Sequence, residues 1–148
     1  MEYSTLFKNI TILNNIESIS LEKITKIPNG FKNNIAWNIA HLVVTQQLLC
    51  YKLAGLPCLI SDEIIEKYQK GTAPLQPISE EEFNTIKKLF LELPKKLKED
   101  YNNKLFQKYY PYETSVNITL NSIEDGIEFN TYHEGIHLGI ILQLLKFI

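Results

Sequence analysis

The sequence contains no arginine: all 15 basic residues are lysine, set against 17 acidic ones for a formal net charge of −2. Missing with it is the planar fork that clamps carboxylates and phosphates through paired hydrogen bonds. The lysines form no basic stripe, so a nucleic-acid backbone is not an expected partner. Cysteine is scarce as well. Cys50 and Cys58 make neither a disulfide framework nor a Cys-x-x-Cys clip, and free thiols in a reducing compartment are expected. No apolar run approaches the length of a membrane span. Met1-Glu2-Tyr3-Ser4-Thr5 lacks the basic and apolar regions of a secretory signal. Without secretion, the glycosylation patterns at Asn9 and Asn117 carry no meaning. These absences predict a cytoplasmic protein that neither crosses nor binds a membrane.

What is present is an ordinary hydrophobic share, 45% of 148 residues, enough for one domain spanning 1–148 to bury a core unaided. Apolar residues recur three and four apart in long stretches. The first helix is predicted from about Ser4 to Ser20, through Leu6, Ile10, Leu13 and Ile16. Pro28-Asn29-Gly30 marks a loop. A second helix opens on Asn33 or Asn34 and runs through Ile35, Ile39 and Leu42 to Ala54, where Gly55-Leu56-Pro57 stops it. The connector that follows has room for a short helix over Asp62–Gln69, and Gly71, Pro74 and Pro77 argue against a longer one. Ser79-Glu80-Glu81-Glu82 is a capping box for the third helix. That helix presents Phe83, Ile86, Phe90 and Leu93 on one face and should end or kink at Pro94.

Between Lys104 and Leu120 the period changes. Thr114, Val116, Ile118 and Leu120 alternate with polar or small residues, which predicts a short extended arm. Tyr109, Tyr110 and Tyr112 beside it suit an aromatic lip over a cleft, or plain loop packing. The last helix opens at Asn121 or Ser122. The fold class is therefore all-α: an antiparallel-type four-helix bundle with one long crossover, its second and fourth helices adjacent.

Histidine is the informative rarity. There are three, His41, His133 and His137. His133 and His137 lie four apart on the last helix, about 40° and one turn from each other, so both rings can reach one metal ion. His41 sits midway along the second helix, with Trp37 and Asn38 one turn back and Thr45 one turn on. From a neighbouring helix it can complete a three-histidine site. A single histidine in an apolar helix is more simply a satisfied core residue. Three that geometry can bring together favour the metal.

Other ligand sets fall away. Cys50 is nine residues beyond His41, about 180° round the helix, and Cys58 lies past the helix stop. A di-iron carboxylate site needs two Glu-x-x-His pairs, and only Glu134 with His137 exists. Residues 133–137, His-Glu-Gly-Ile-His, satisfy the HExxH pattern of zinc proteases. Those enzymes commonly take a third ligand after the motif, and residues 138–148 hold no His, Asp, Glu or Cys. Gly126, Gly135 and Gly139 each cost about 1 kcal/mol against alanine in a helix, which close helix approach would offset.

Trp37-Asn38-Ile39-Ala40-His41-Leu42, then Leu53-Ala54-Gly55-Leu56-Pro57, resembles the second-helix signature of the DinB-like (YfiT-like) superfamily. Tyr132-His133-Glu134-Gly135-Ile136-His137-Leu138-Gly139 is similar to that family's closing motif. The resemblance extends over essentially the whole chain. It implies a four-helix bundle, frequently a homodimer, with His41, His133 and His137 on one divalent ion, often zinc or nickel. Some relatives are transferases or isomerases that use a low-molecular-weight thiol.

Three neutral imidazoles leave a coordination position open, which suits a metal-dependent enzyme acting on a small molecule. Addition of a thiol to an electrophile is the favoured reaction; a metal-dependent hydrolase, or a non-catalytic metal-binding or dimeric bundle, is the alternative. The lack of arginine argues against substrates whose carboxylates need a clamp. Glu134 is the candidate catalytic residue, placed to orient an imidazole or shuttle a proton. One residue off the ligand face, it is more simply a solvated surface charge.

Overall fold

Asn34 opens the central helix: its Oδ1 accepts from Trp37 N at 2.8 Å while its Nδ2 donates to the Thr25 carbonyl at 2.8 Å. The computed structural model describes residues 5–148, with side chains from residue 9 onward, so the predicted start at Ser4 and the Leu6 side chain lie outside the described residues. The helices are α1 (Thr5–Ile16), α2 (Leu21–Ile24), α3 (Ile35–Cys50), α4 (Asp62–Tyr68), α5 (Glu80–Asn102) and α6 (Ile123–Leu144). A hairpin of β1 (Tyr112–Glu113) and β2 (Thr119–Leu120) precedes α6. The all-α class holds.

Several boundaries differ from expectation for local reasons. The first helix ends at Ile16, short of the expected Ser20, and Ser20 instead caps a separate short helix, α2, by accepting from Lys23 N. α3 gives way at Cys50 to a 3-10 turn over Lys52–Ala54, closed by Gly55 at φ +72°, a left-handed conformation glycine adopts freely. Ser79 caps α5 through Glu82 N at 3.1 Å, but the return half of the box is not among its cap bonds. The Glu82 carboxylate accepts instead from Tyr68 Oη at 2.9 Å. The full box forms at α6, between Ser122 and Asp125. α5 also continues through Pro94 to Asn102 rather than ending there. The carbonyl that a proline strips of its helical donor is that of Phe90, four residues back. Asn9 Nδ2 of α1 donates to it at 2.7 Å.

α3 packs on α5 and α6, and α1 packs on the same two. Hydrogen bonding of Asn38 with His137, and the approach of Gly126 to Leu49, set α3 and α6 antiparallel. Val43 lies with Phe90, and Tyr51 bonds Asp100, so α3 and α5 run parallel. Asn9 with Phe90, and Ile16 with Phe83, make α1 antiparallel to α5. The antiparallel-type expectation is thus right for two of the four neighbouring pairs. Two parallel neighbours in sequence require a long return, and residues 51–79 supply it, carrying α4 across the outer side of α3. That cover explains why α3 is buried nearly all round, with only Thr45 and Leu48 reaching intermediate exposure.

The main core gathers Ile12, Ile39, Val44, Ile86, Phe90 and Ile141. A second cluster at the far end joins Leu49, Cys50, Tyr51, Leu97, Leu120 and Ile123. The aromatic segment closes that end. Tyr109 Oη donates to the Leu49 carbonyl at 2.8 Å, and Tyr110 N donates to the Leu53 carbonyl at 2.7 Å. Leu49 is about 12 Å along α3 from His41, so these tyrosines pack the loop instead of roofing the histidines. A Cβ at Gly126 would meet Tyr109 Oη at 2.6 Å, so close approach does account for that glycine. It does not account for Gly135 and Gly139, whose missing side chains face open space. The alternating arm turns back at Asn117 (φ +59°), leaving Thr114 and Leu120 buried but Val116 and Ile118 half exposed. Among the described residues no helix is long and apolar enough to cross a membrane.

Candidate metal centre

The antiparallel packing of α3 on α6 brings the three histidines together. Ring centroids are 5.2 Å apart for His41 and His133, 4.9 Å for His41 and His137, and 4.4 Å for His133 and His137. One nitrogen from each ring lies within 4.8 Å of the other two. His41 and His137 are 5% and 9% exposed and His133 is partly exposed, so what solvent contact the cluster has is mainly at His133. Among the described residues no Cys, Asp or Glu joins the group. Cys50 is buried in the far cluster and Cys58 is half buried beside the Gln47 carbonyl, in agreement with their exclusion. Burial, reinforced by the charge of Glu134, pushes the Cys50 thiol well up.

Two of the three rings are fixed by hydrogen bonds at Nδ1. His41 Nδ1 lies 2.7 Å from the Tyr68 carbonyl, which can only accept, so Nδ1 carries the proton and Nε2 the lone pair. The Thr45 hydroxyl donates to that Nε2 at 3.3 Å. Asn38 fixes His137 in the same way. Its Nδ2 donates to Asn33 Oδ1 at 2.9 Å and to the Asn34 carbonyl at 2.8 Å, which leaves Oδ1 to accept from His137 Nδ1 at 2.7 Å. Such outer partners set the tautomer and aim of a ligating imidazole. His133 Nδ1 is buried with no hydrogen-bond partner among the described residues. Two lone pairs aimed by fixed N–H groups, beside an orphaned imidazole nitrogen, are what a soft-to-borderline divalent ion would complete. Trp37 stacks on His41 at 4.7 Å with ring planes 10° apart and holds its orientation.

The rings are neutral at pH 7, as ligation requires. Burial, then the charges of His137 and His41, lowers His133 to about 3. Burial, then His41, lowers His137 to about 4. His41 is lowered by burial, with the Tyr68 carbonyl pulling the other way. The unfolded chain, with its histidines near 6.5, therefore binds more protons than the fold below that pH. Stability of the metal-free protein should be complete above about pH 6.5 and fall as pH drops from 6.5 towards 4 and 3. Urea midpoints followed from about pH 8 to about pH 4 check this, and His133→Gln should flatten the decline. An equally steep decline in that variant would assign it to other groups.

Glu134 is not a solvated surface charge. It is 4% exposed, on the core face of α6, and its Oε1 accepts from Asn130 Nδ2 at 2.8 Å. It borders a small internal space with Asn9, Val43, Gln46, Phe90 and Pro94, and none of the three histidines lines that space. The carboxylate of the HExxH pattern thus enters the bundle core, where no peptide could reach it. Two partners escaped the sequence reading: Asn38, whose position three before His41 was visible, and the Tyr68 carbonyl, which leaves no side-chain signal.

No curated protein matches the chain. The model of the DinB superfamily matches residues 11–141, a span that takes in all three histidines and the crossover that carries Tyr68. On that match the chain belongs to the DinB superfamily.

Proposed function

We propose that the protein is a metal-dependent enzyme in which His41, His133 and His137 hold one divalent ion, zinc or nickel, and a low-molecular-weight thiol is activated for transfer to an uncharged or weakly charged electrophile. The donor set carries this reading: three neutral imidazoles with no fourth protein ligand among the described residues. Three protein donors and an open position distinguish catalytic from structural zinc sites. A bound cation supplies a lowered pKa for a thiol or water, and so a nucleophile at neutral pH. The partly exposed His133 gives such a molecule a path from solvent, and the Thr45 hydroxyl, 3.3 Å from His41 Nε2, would be released to a polar group in the same space once the ion takes that nitrogen. The absence of arginine disfavours heavily anionic substrates.

The test adds small thiols to cobalt-loaded protein and follows visible absorption together with turnover of uncharged electrophiles. New sulfur-to-cobalt absorption and turnover that disappears in His41→Ala are expected. No spectral change with any thiol would remove the thiol reaction, leaving the hydrolase and the non-catalytic bundle to be separated by ester and amide substrates.

The same proposal includes a cytoplasmic homodimer. The outward face of α6 carries Tyr132, Ile136 and Leu142 exposed, beside Gly135 and Gly139 with open space where a Cβ would stand. A second copy would supply the close helix approach that compensates those glycines. Sedimentation of the protein and of Gly135→Gln checks it: the variant should shift to monomer, and an unchanged mass would place any dimer elsewhere.

A further inference from the structure

Beside the histidines, but lined by none of them, lies a cleft of about 710 Å³ between α4, residues 71–78 and the first turn of α3. That volume falls in the range of small-molecule pockets, which are mostly apolar with a few placed polar groups. Ala36, Trp37 and Ile78 give it apolar walls, and Pro74, Leu75 and Pro77 line it from the connector. Leu75 is 89% exposed, the most exposed large apolar side chain among the described residues. Among the described residues nothing covers it.

The polar lining has one sign in excess. Glu63, Glu66 and Glu82 face a single cation, Lys67. Lys67 is already shared, at 2.9 Å from Glu63 and 3.4 Å from Glu82, and Glu82 also takes the Tyr68 hydroxyl. Glu66 makes no ion pair among the described residues. An apolar cleft with an unneutralised carboxylate edge complements one class of molecule: a small organic cation with an apolar body.

We propose that this cleft binds a primary amine bearing an aryl or alkyl group. The apolar body lies along Trp37, Ile78 and Leu75, and the ammonium meets Glu66 and Glu63. Binding there requires no metal ion, so the site stands whether or not the histidines are loaded.

Trp37 is the only tryptophan in the chain, so its emission reports the cleft directly. The experiment titrates metal-free protein with phenethylamine, its neutral counterpart phenethyl alcohol, and the anionic hydrocinnamate. A saturable change is expected with the amine, at a dissociation constant about tenfold below that of hydrocinnamate, with the alcohol between them, the scale set by exposed ion pairs. Glu63→Gln combined with Glu66→Gln, both at exposed positions, should bring amine and alcohol within about twofold while leaving the alcohol unchanged. Leu75→Ser should weaken amine and alcohol alike. Ligand-observed NMR run in parallel covers the case of an indole that does not respond. No saturable binding by either method, binding of hydrocinnamate as tight as the amine, or full amine preference in the double glutamine variant would each overturn the proposal.

Discussion

His41→Ala, purified without a histidine tag, is expected to lose tight binding of the divalent ion while keeping its helices. Affinity should fall by more than about 100-fold, beyond what loss of an outer-shell partner costs. His41 is the only member of the group supplied by α3, so without it the remaining imidazoles both come from one helix and leave half the coordination sphere to solvent. The helices should survive because the main core, from Ile12 through Ile39 and Val44 to Ile141, does not pass through the imidazole. Asn38→Ala supplies the graded comparison. It removes the acceptor that holds His137 Nδ1–H while leaving every ligand in place, and an affinity loss of about 10–100-fold is expected. Metal stoichiometry by elemental analysis and helical content by circular dichroism decide the outcome. Unchanged stoichiometry in His41→Ala would sink the triad. Loss of helix together with metal would make the ion structural, since binding free energy would then be folding free energy.

The bundle and its histidines could be seen in the sequence because their signals are local and periodic. The spacing of His133 and His137 fixes their common face whatever surrounds them. His41 followed from one further inference, that α3 and α6 are neighbours, and the ring distances agree with it. What escaped was set by tertiary contacts. Glu134 stands one residue from a ligand, which reads as an edge position, yet α1 and α5 close over that edge and bury it. Helix direction was hidden as well, because an apolar stripe is the same whether its neighbour runs up or down. Only the length of the 51–79 crossover hinted at parallel neighbours. The tyrosines after α5 carry no period that says which end of α3 they meet, and a hydrogen bond to the Leu49 carbonyl decides it.

Pro94 does not end α5, for a physical reason that yields the second prediction. A proline inside a helix strands the carbonyl four residues earlier, and a stranded carbonyl in a core usually ends the helix. Here Asn9, on a different helix, donates to the Phe90 carbonyl, so α5 continues to Asn102. The two residues should therefore be coupled. Asn9→Leu keeps the side-chain volume but leaves a buried carbonyl unpaired, and a loss of about 1–3 kcal/mol is expected in urea unfolding. In a Pro94→Ala background the new N–H can bond the Phe90 carbonyl within the helix. The same Asn9→Leu change then orphans nothing, and it also removes Asn9 Oδ1, which is buried without a partner among the described residues. Its cost there should fall by about 1 kcal/mol or more and can change sign, giving a coupling free energy of the size found for directly interacting pairs. Equal costs in the two backgrounds would show that Asn9 stabilises α1 by packing alone and that α5 crosses Pro94 without its help.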